Sequence, residues 1–577
     1  MTSRTSFDAA LAGRADTIVS RFLDRAARDP ERVVFTVFPM GALNALGTLT
    51  WGDWASRARN VSGALLAQRL GKGARVAVYA SNRELWPIAL LGAAMSGAIT
   101  VMLSPDATKT SLMAELQDCS PSVVIVDTIA RLKLVRQVQA ESRQTFTIVC
   151  DDLDPLRTST AESLFEWEAW LKSGALALET YESLRQEFAE RVDWVVPGDI
   201  IAIAYKPGTS VGVMYLHEAA SAMAVTLTRD LNMTLADRIA VARSFSGVFE
   251  CALGVFAAIH AGASVALVES VSDALRAARL HESTIVCGSE DILLEMNDHL
   301  RRARMNQENP RASASLLVGA QCHTMVCVSE GLATESECDL HGAGITLATF
   351  YGIPEHALIC RNGPDNWYDD SIGEPVSDAV RVDYYGQLQV RRGPMSAVGY
   401  YCREDEFQRQ CEPDGSWLRT GDRVEQLEDG ALRLVGRMAD LIKLPGGVST
   451  STDDIEAALC SLPYVAHAVC HGAHDKPLVA VLSLRRKEVE RWARVQGIVA
   501  PWAALVDHPL VYDELANGIA RINALRDQRE RVRGFAPREL EFNIHTGELD
   551  QAGHINRAVL LGRFEHVFAD LHNRLRY

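Results

Sequence analysis

The sequence predicts an α/β protein with a large N-terminal part of two α/β lobes and a small β-barrel-like unit, followed by a small α+β C-terminal domain. Apolar strand-like runs alternate with helix-like segments up to Tyr351, after which the runs shorten and Gly and Asp turns become frequent. A compact helix and strand pattern begins at Leu441. Because 577 residues exceed what one hydrophobic core organises, we expect residues 1–440 and 441–577 to form separate domains.

The first lobe is predicted from the runs ARVAVYAS, AITVML and SVVIVD, with helix-like segments between them. Such alternation favours a parallel sheet covered by helices on both faces. Residues 87–105 are apolar over nearly the length of a membrane span, but their two glycines and many alanines divide them into a helix over 90–97, a turn and a strand. We therefore predict no transmembrane segment.

The second lobe and the later units follow from the same kind of pattern. The second lobe is predicted from the strand-like runs IIAIAY, RIAVARSF, ASVALVE, TIVCGS and ASLLVG. The small β unit is predicted from AVRVDYY, GQLQVRR and ALRLVGR, which indicate short antiparallel or barrel strands. The last domain is predicted from a helix, DDIEAALCSL, and two strands, AHAVCHGA and PLVAVLSL.

Composition excludes several classes of protein. A formal net charge of -16 argues against general binding of nucleic acid or of an anionic membrane surface. The twelve cysteines form no CxxC pair, which indicates reduced and mostly buried thiols rather than a zinc site. The N-terminus contains acidic residues and no continuous apolar core, so the sequence predicts a cytoplasmic protein.

The stretch AYKPGTSVGVMYLH, residues 204–217, is the strongest candidate for chemistry in the first half of the chain. Gly208, Thr209 and Ser210 form a turn between an apolar run and a helix-like segment, a setting in which N–H and hydroxyl groups can converge on phosphate. The turn is short, and its only cation, Lys206, comes at its start. It is either a working phosphate loop or the remainder of one.

Ordered motifs along almost the whole chain carry a resemblance to a known family. They are GARVAVYASNRELWPIALLGAAMSGAITVMLSP, SIGEPV, GQLQVRRGPMSAVGYY, WLRTGDRVEQLEDGALRLVGRMADLIKLPGG and DDIEAAL. In this order they resemble the adenylate-forming superfamily, and most closely the long-chain fatty acyl-CoA synthetases. The resemblance implies that ATP activates a carboxylate to an acyl-adenylate, whose acyl group then passes to a thiol. It implies AMP or ATP, Mg²⁺, and CoA or an acyl-carrier-protein thiol as cofactors and partners.

Site residues are carried over from this resemblance where the motifs match. The implied nucleotide-binding set is Gly208, Thr209, Ser210, Gly319, Ala320, Tyr351, Gly352, Asp422 and Arg437. Within it, Tyr351 is implied to stack near adenine and Asp422 to hold the ribose, where two acceptor oxygens suit a sugar diol. The simpler alternatives are a turn aspartate at Asp422 and an arginine that bridges domains at Arg437. Cys322 and His323 are interpreted as local packing.

The implied metal ligand is Glu355, in the segment YGIPEHAL, which matches the family's Tyr-Gly-x-Thr-Glu. Pro354 replaces the threonine, which removes a hydroxyl and an N–H donor and predicts the loss of a contact to the α-phosphate. The alternative interpretation is a surface turn with a solvated glutamate.

Two departures from the family concern catalytic lysines. The phosphate loop can be matched only by deleting three residues, including its lysine; Lys206 either compensates for it or points to solvent. Near the C-terminus, LDQAGHINR places His554 at the position of the second lysine, and histidine is shorter and mostly neutral near pH 7. Lys443 remains as the third candidate catalytic residue. Asp440 falls at the family's hinge, which implies a mobile C-terminal domain.

Three functions are compatible with these residues. The first is an acyl-CoA synthetase-like enzyme that activates a carboxylate through a rearranged loop, using Lys206 and His554. The second is a divergent or repurposed enzyme that handles an acyl, acyl-adenylate or acyl-thioester species and has impaired ATP-dependent adenylation. The third is a non-catalytic relative that binds a ligand or a partner. We favour the second, because the losses concentrate on pyrophosphate and the adenylation transition state.

Overall fold

The structure is a computed structural model. It describes residues 16–41, 44–154, 163–329, 334–363, 367–377, 379–438, 441–444, 449–473, 476–540, 542–543, 546, 548–549 and 555–575. The chain divides into two compact units. The second unit comprises Tyr385–Gln387, Gly421–Val424 and Val435–Tyr577, and the first contains the rest. The expected domain boundary after residue 440 stays a prediction.

Two large sheets organise the first unit and confirm the predicted α/β lobes. In spatial order, the strands of the eight-stranded sheet are Gly399–Tyr400, Gly212–Leu216, Ile200–Tyr205, Ile99–Leu103, Arg75–Tyr79, Val123–Val126, Thr147–Cys150 and Leu164–Glu166. Those of the nine-stranded sheet are Glu374–Pro375, His356–Asn362, Thr346–Ile353, Thr324–Val328, Ile285–Gly288, Arg238–Val241, Ser264–Val268, Val33–Phe38 and Gly47–Thr50. Both sheets are parallel at their centres; the eight-stranded sheet has antiparallel strands at one edge and the nine-stranded sheet has them at both edges.

Helices connect the strands of both sheets. In the first unit they are Ile18–Arg28, Trp51–Ala67, Leu85–Met95, Lys109–Cys119, Ile129–Ser142, Trp167–Thr180, Glu182–Asp193, His217–Asp230, Val248–Cys251, Ala258–Ala261, Ala274–His281, Glu290–Met305, Pro310–Val318, Thr334–Gly342 and Glu404–Gln410, with a π-helical turn over Ala252–Ala257 and a 3₁₀ turn over Val271–Asp273. The predicted helix over 90–97 begins earlier, at Leu85, and all its residues are buried. No helix in the described ranges is both long and apolar enough to cross a membrane.

One predicted strand is wrong. The run ASLLVG lies at the end of the helix Pro310–Val318, because a start signal precedes it. Asn309 accepts a hydrogen bond from the Ala312 N–H, and a proline at the first helical position has the φ angle that a helix needs. A short apolar run has no distinctive period, so these flanking residues decide its structure.

The smaller sheets and the remaining helices come after residue 379 in the sequence. The predicted small β unit is confirmed as a four-stranded sheet of Val380–Val382, Gln387–Arg391, Trp417–Gln426 and Leu432–Arg437. The C-terminal α+β arrangement contains the strands Leu441–Lys443, Ser449–Ser451, Val465–Ala473, Lys476–Leu484 and Gly534–Arg538. Its helices are Thr452–Cys460, Arg486–Val495, Trp502–Val506, Pro509–Ala524, Arg557–Arg563 and Glu565–Arg574. All twelve cysteines are free thiols, and nine of them are buried.

The buried His217 predicts a pH dependence of folding. Burial lowers the pKa of His217 from 6.5 to about 4, so the native state keeps this ring neutral while the unfolded chain binds a proton below pH 6.5. The contribution of a neutral His217 to the free energy of unfolding is therefore complete above pH 6.5, and it is lost as the pH drops towards 4. Between pH 7 and 5 we expect His217 to cost about 2 kcal/mol of unfolding free energy.

Urea unfolding at pH 7 and pH 5 measures this difference directly. His217→Gln should reduce the loss of stability between the two pH values by about 2 kcal/mol, because glutamine does not titrate. The matched control is His341→Gln, since the His341 side chain is 82% exposed. An unchanged pH dependence in His217→Gln would contradict the assignment.

Candidate active site

The candidate phosphate loop is the turn of a β-hairpin. Strands Ile200–Tyr205 and Gly212–Leu216 pair antiparallel, and Gly208 takes a φ of 71° at the tip. Lys206 N–H donates to the Val211 carbonyl at 3.0 Å, Thr209 N–H donates to the Lys206 carbonyl at 3.1 Å, and Val211 N–H donates to Thr209 Oγ1 at 3.2 Å. Three of the five N–H groups over residues 206–211 are thus used inside the turn, since Pro207 has none.

The hydroxyl groups of the turn also have partners within the protein. Thr209 Oγ1 donates to the Lys206 carbonyl at 3.1 Å, and Arg403 donates to Ser210 Oγ at 3.1 Å. Arg403 also lies 3.4 Å from a carboxylate oxygen of Asp118, whose other oxygen accepts from Tyr205 at 2.8 Å. A phosphate group would have to compete with these contacts for Thr209 and Ser210.

Lys206 points inward, not to solvent. Its Nζ lies 2.5 Å from Glu355 Oε1 and 5.5 Å from the centre of the Tyr400 ring. Tyr400 donates its hydroxyl to the same oxygen of Glu355. The Glu355 side chain is only 4% exposed, so the interpretations of a solvent-facing lysine and of a solvated glutamate are both wrong. The structure brings together the predicted lysine and the predicted metal ligand.

A tight hairpin positions Glu355. It joins strands Thr346–Ile353 and His356–Asn362, whose register shifts between Tyr351 and Ile353. A Cβ atom at Gly352 would overlap the Ala357 carbonyl, so only glycine fits the close approach of the two strands. Tyr351 is buried on the same strand.

Two tyrosines complete the surroundings of this hairpin. Tyr215 donates its hydroxyl to the Pro354 carbonyl. Burial, followed by the nearby Glu355 carboxylate, raises the pKa of Tyr400 well above its ordinary value, so this phenol stays protonated as a donor.

The residues at Glu355 do not fit a divalent cation in this arrangement. Its Oε1 already accepts from one ammonium and one phenol, and a Mg²⁺ ion on that oxygen would face a positive charge at close range. Across the described ranges, no three His, Cys, Asp or Glu side chains come together as a metal site. A metal ion at Glu355 would first have to displace the ammonium of Lys206.

The implied adenine-side loop follows the helix Pro310–Val318. Gly319 is buried with a φ of 91°, and Ala320 is exposed. Arg311 donates to the Ala320 carbonyl at 2.6 Å, which fixes the loop against its own helix.

The neighbouring Cys322 and His323 make local contacts, as interpreted from the sequence. Cys322 Sγ lies 3.8 Å from the Thr324 carbonyl, and His323 Nε2 lies 3.5 Å from Asp237 Oδ1. Burial raises the pKa of the Cys322 thiol to about 12, so it is a packing residue and not a nucleophile.

The second unit holds the other predicted site residues. Arg437 Nε lies 3.8 Å from Asp422 Oδ1; the Asp422 side chain is 13% exposed and that of Arg437 is 61% exposed. Lys443 ends the strand Leu441–Lys443, and its side chain lies outside the described structure. His554 also lies outside the described residues.

Comparison with known proteins decides the family. The profile of the family described as AMP-binding enzyme matches residues 22–400. The chain belongs to the AMP-binding enzyme family. A 3-[(3aS,4S,7aS)-7a-methyl-1,5-dioxo-octahydro-1H-inden-4-yl]propanoyl:CoA ligase from Rhodococcus jostii is 25% identical over 74% of this chain and 82% of its own length.

Two further relatives extend over nearly the whole chain. A long-chain-fatty-acid–CoA ligase, FadD15, from Mycobacterium bovis is 20% identical over 97% of this chain and 98% of its own length. The crystal structure of ATP-bound MatB from Rhodopseudomonas palustris has the same fold, with a TM-score of 0.66 at 16% identity over 96% of this chain and 99% of that one. The predicted resemblance to acyl-CoA synthetases is confirmed.

Sequence reasoning missed two residues of this AMP-binding enzyme's site. Tyr400 lies at the end of the motif GQLQVRRGPMSAVGYY, which was available as a signal, but the motif does not say that the phenol reaches Glu355. Arg403 follows in a polar segment with no distinguishing pattern. Only the structure shows that it donates a hydrogen bond to Ser210 in the candidate phosphate loop. Residues Gly212–Leu216, in the stretch proposed as a phosphate loop, form a strand that the sequence pattern does not predict.

Proposed function

We propose that this AMP-binding enzyme acts on an acyl or carboxylate substrate and binds AMP or an acyl-adenylate well, whereas its ATP-dependent adenylation is impaired. The acceptor of the acyl group is the thiol of CoA or of a carrier protein. One observation carries the proposal: three N–H groups and both hydroxyl groups of the turn over 206–211 are engaged inside the protein, and its lysine is paired with Glu355.

The transition state of adenylation carries charge that the protein has to stabilise. Stabilising charge on the departing pyrophosphate requires preorganised donors, and one such donor is typically worth about 3 to 4 kcal/mol. The loop lysine and the lysine replaced by His554 are two such groups. Their loss would slow adenylation by roughly four to six decades if they acted independently. The implied ribose ligand, Asp422, is present, which supports retention of the AMP half of the nucleotide.

Calorimetry with AMP and with MgATP tests the proposal, together with ATP–pyrophosphate exchange over a panel of fatty, aromatic and amino acids. We expect AMP to bind at least as tightly as MgATP, and exchange to remain near background. Tight, Mg²⁺-dependent binding of ATP with rapid exchange would instead identify a working ligase with a rearranged loop. Binding of neither nucleotide would identify a non-catalytic relative.

A further inference from the structure

We propose that the ammonium group of Lys206 takes the place of a divalent cation at Glu355, so that the protein itself neutralises the carboxylate that the family uses for metal. The observation behind it is the Lys206–Tyr400–Glu355 cluster, in which an ammonium and a phenol share one carboxylate oxygen. The inference rests on the proposed function, since it concerns the same nucleotide site.

Burial makes a positive partner for Glu355 necessary. The Glu355 side chain is 4% exposed, and a buried carboxylate without a compensating charge is strongly destabilising. Tyr400 supplies a hydrogen bond but no charge. Lys206 therefore supplies the positive charge on this oxygen, from 2.5 Å away.

The shortened turn explains how Lys206 reaches this position. Lys206 directly follows the strand Ile200–Tyr205, and the bond from its N–H to the Val211 carbonyl fixes its backbone at the mouth of the hairpin. The side chain is 28% exposed and lies against the Tyr400 ring, which favours a cation over its face. The ammonium is thus held in place by contacts on two sides.

An ammonium and a divalent cation exclude each other here. Magnesium binds a carboxylate oxygen at about 2.0 to 2.1 Å, so an ion on either oxygen of Glu355 would lie close to an ammonium that is already 2.5 Å from Oε1. Repulsion between the two positive charges at that range is large in a poorly hydrated site. The wild-type protein is therefore expected to be indifferent to Mg²⁺, and removal of the lysine should create a response to it.

Thermal unfolding without any nucleotide tests this inference independently of the proposed function. We expect Lys206→Met to lower Tm by roughly 3 to 6 °C, because Glu355 loses its counter-charge. MgCl₂ or MnCl₂ should restore at least about half of that loss, compared with NaCl of the same ionic strength. Wild type and Lys109→Met should show no divalent effect, since Lys109 pairs with the partly exposed Glu141 on the surface.

Further variants keep the test decisive if Lys206→Met does not fold. Lys206→Gln keeps a donor for Glu355 while removing the charge, and it should show the same divalent rescue. The double variant Lys206→Met/Glu355→Gln should fold, and its Tm should not rise when a divalent cation is added. A rise of the wild-type Tm with Mg²⁺, or stoichiometric Mn²⁺ binding by the wild type in electron paramagnetic resonance, would overturn the inference. The inference would also be overturned if the folded single variants showed no rise in Tm with MgCl₂ or MnCl₂.

Discussion

ATP–pyrophosphate exchange is expected to appear when residues 206–211 are replaced by a full-length Ser/Thr/Gly loop carrying a lysine and His554→Lys is introduced in the same chain. The resemblance assigns one lysine to the departing phosphates and the other to the pentavalent centre, so both serve one transition state and their effects should be strongly non-additive. Because the two lysines are expected to act as a unit, we expect the combined variant to gain at least the roughly two to three decades in rate that one such group contributes. Each single repair should gain less than about tenfold.

The matched control for the loop is a graft of the same length and composition without its lysine. Circular dichroism of every variant establishes that the hairpin between Ile200–Tyr205 and Gly212–Leu216 tolerates the longer turn. Rapid exchange by the unmodified protein would remove the premise, because another group would then do the work of the two lysines that the resemblance implies. A folded but inactive combined variant would show that the acyl or nucleotide pocket has itself diverged.

A large loss of stability is expected from Arg557→Met in the second unit. Two nitrogens of Arg557 bind the two carboxylate oxygens of Glu456 at 2.9 and 2.7 Å, and the Glu456 side chain is 7% exposed. This pair ties the helix Arg557–Arg563 to the helix Thr452–Cys460. Removal of the arginine leaves a buried carboxylate whose remaining partner of note is the Cys470 N–H, at 2.6 Å. We expect unfolding free energy to fall by about 3 to 5 kcal/mol.

Urea unfolding of the full chain, followed by tryptophan fluorescence, measures this loss. Arg574→Met is the matched control, because Arg574 and Asp570 are 77% and 71% exposed and such a surface pair contributes less than about 1 kcal/mol. Replacing both partners, as Arg557→Met/Glu456→Met, should recover much of the stability, since no charge then remains buried. Equal stability of Arg557→Met and Arg574→Met would refute the prediction.

At the candidate site, the sequence indicates which residue types are present but not which contacts they make. The residues Gly208, Thr209 and Ser210 could be selected as phosphate ligands because their types suit that role, and Glu355 could be matched by motif. Their present contacts could not be inferred, because Ser210 is bonded to Arg403, 193 residues away along the chain. The same residue types occur in a turn whose donors are mostly used inside the protein and in a loop whose donors are open to phosphate.

The sequence by itself determined the fold class and the order of the motifs. These depend on local periodicity and on which residue types are present, and both can be read along the chain. The tertiary structure decided that Lys206 is the cationic partner of a buried carboxylate rather than a surface lysine. Lys206 is separated by 149 residues from Glu355 and by 194 from Tyr400. Only the folding of the chain brings these three side chains together, and the cost of burying the Glu355 charge then determines where the ammonium lies.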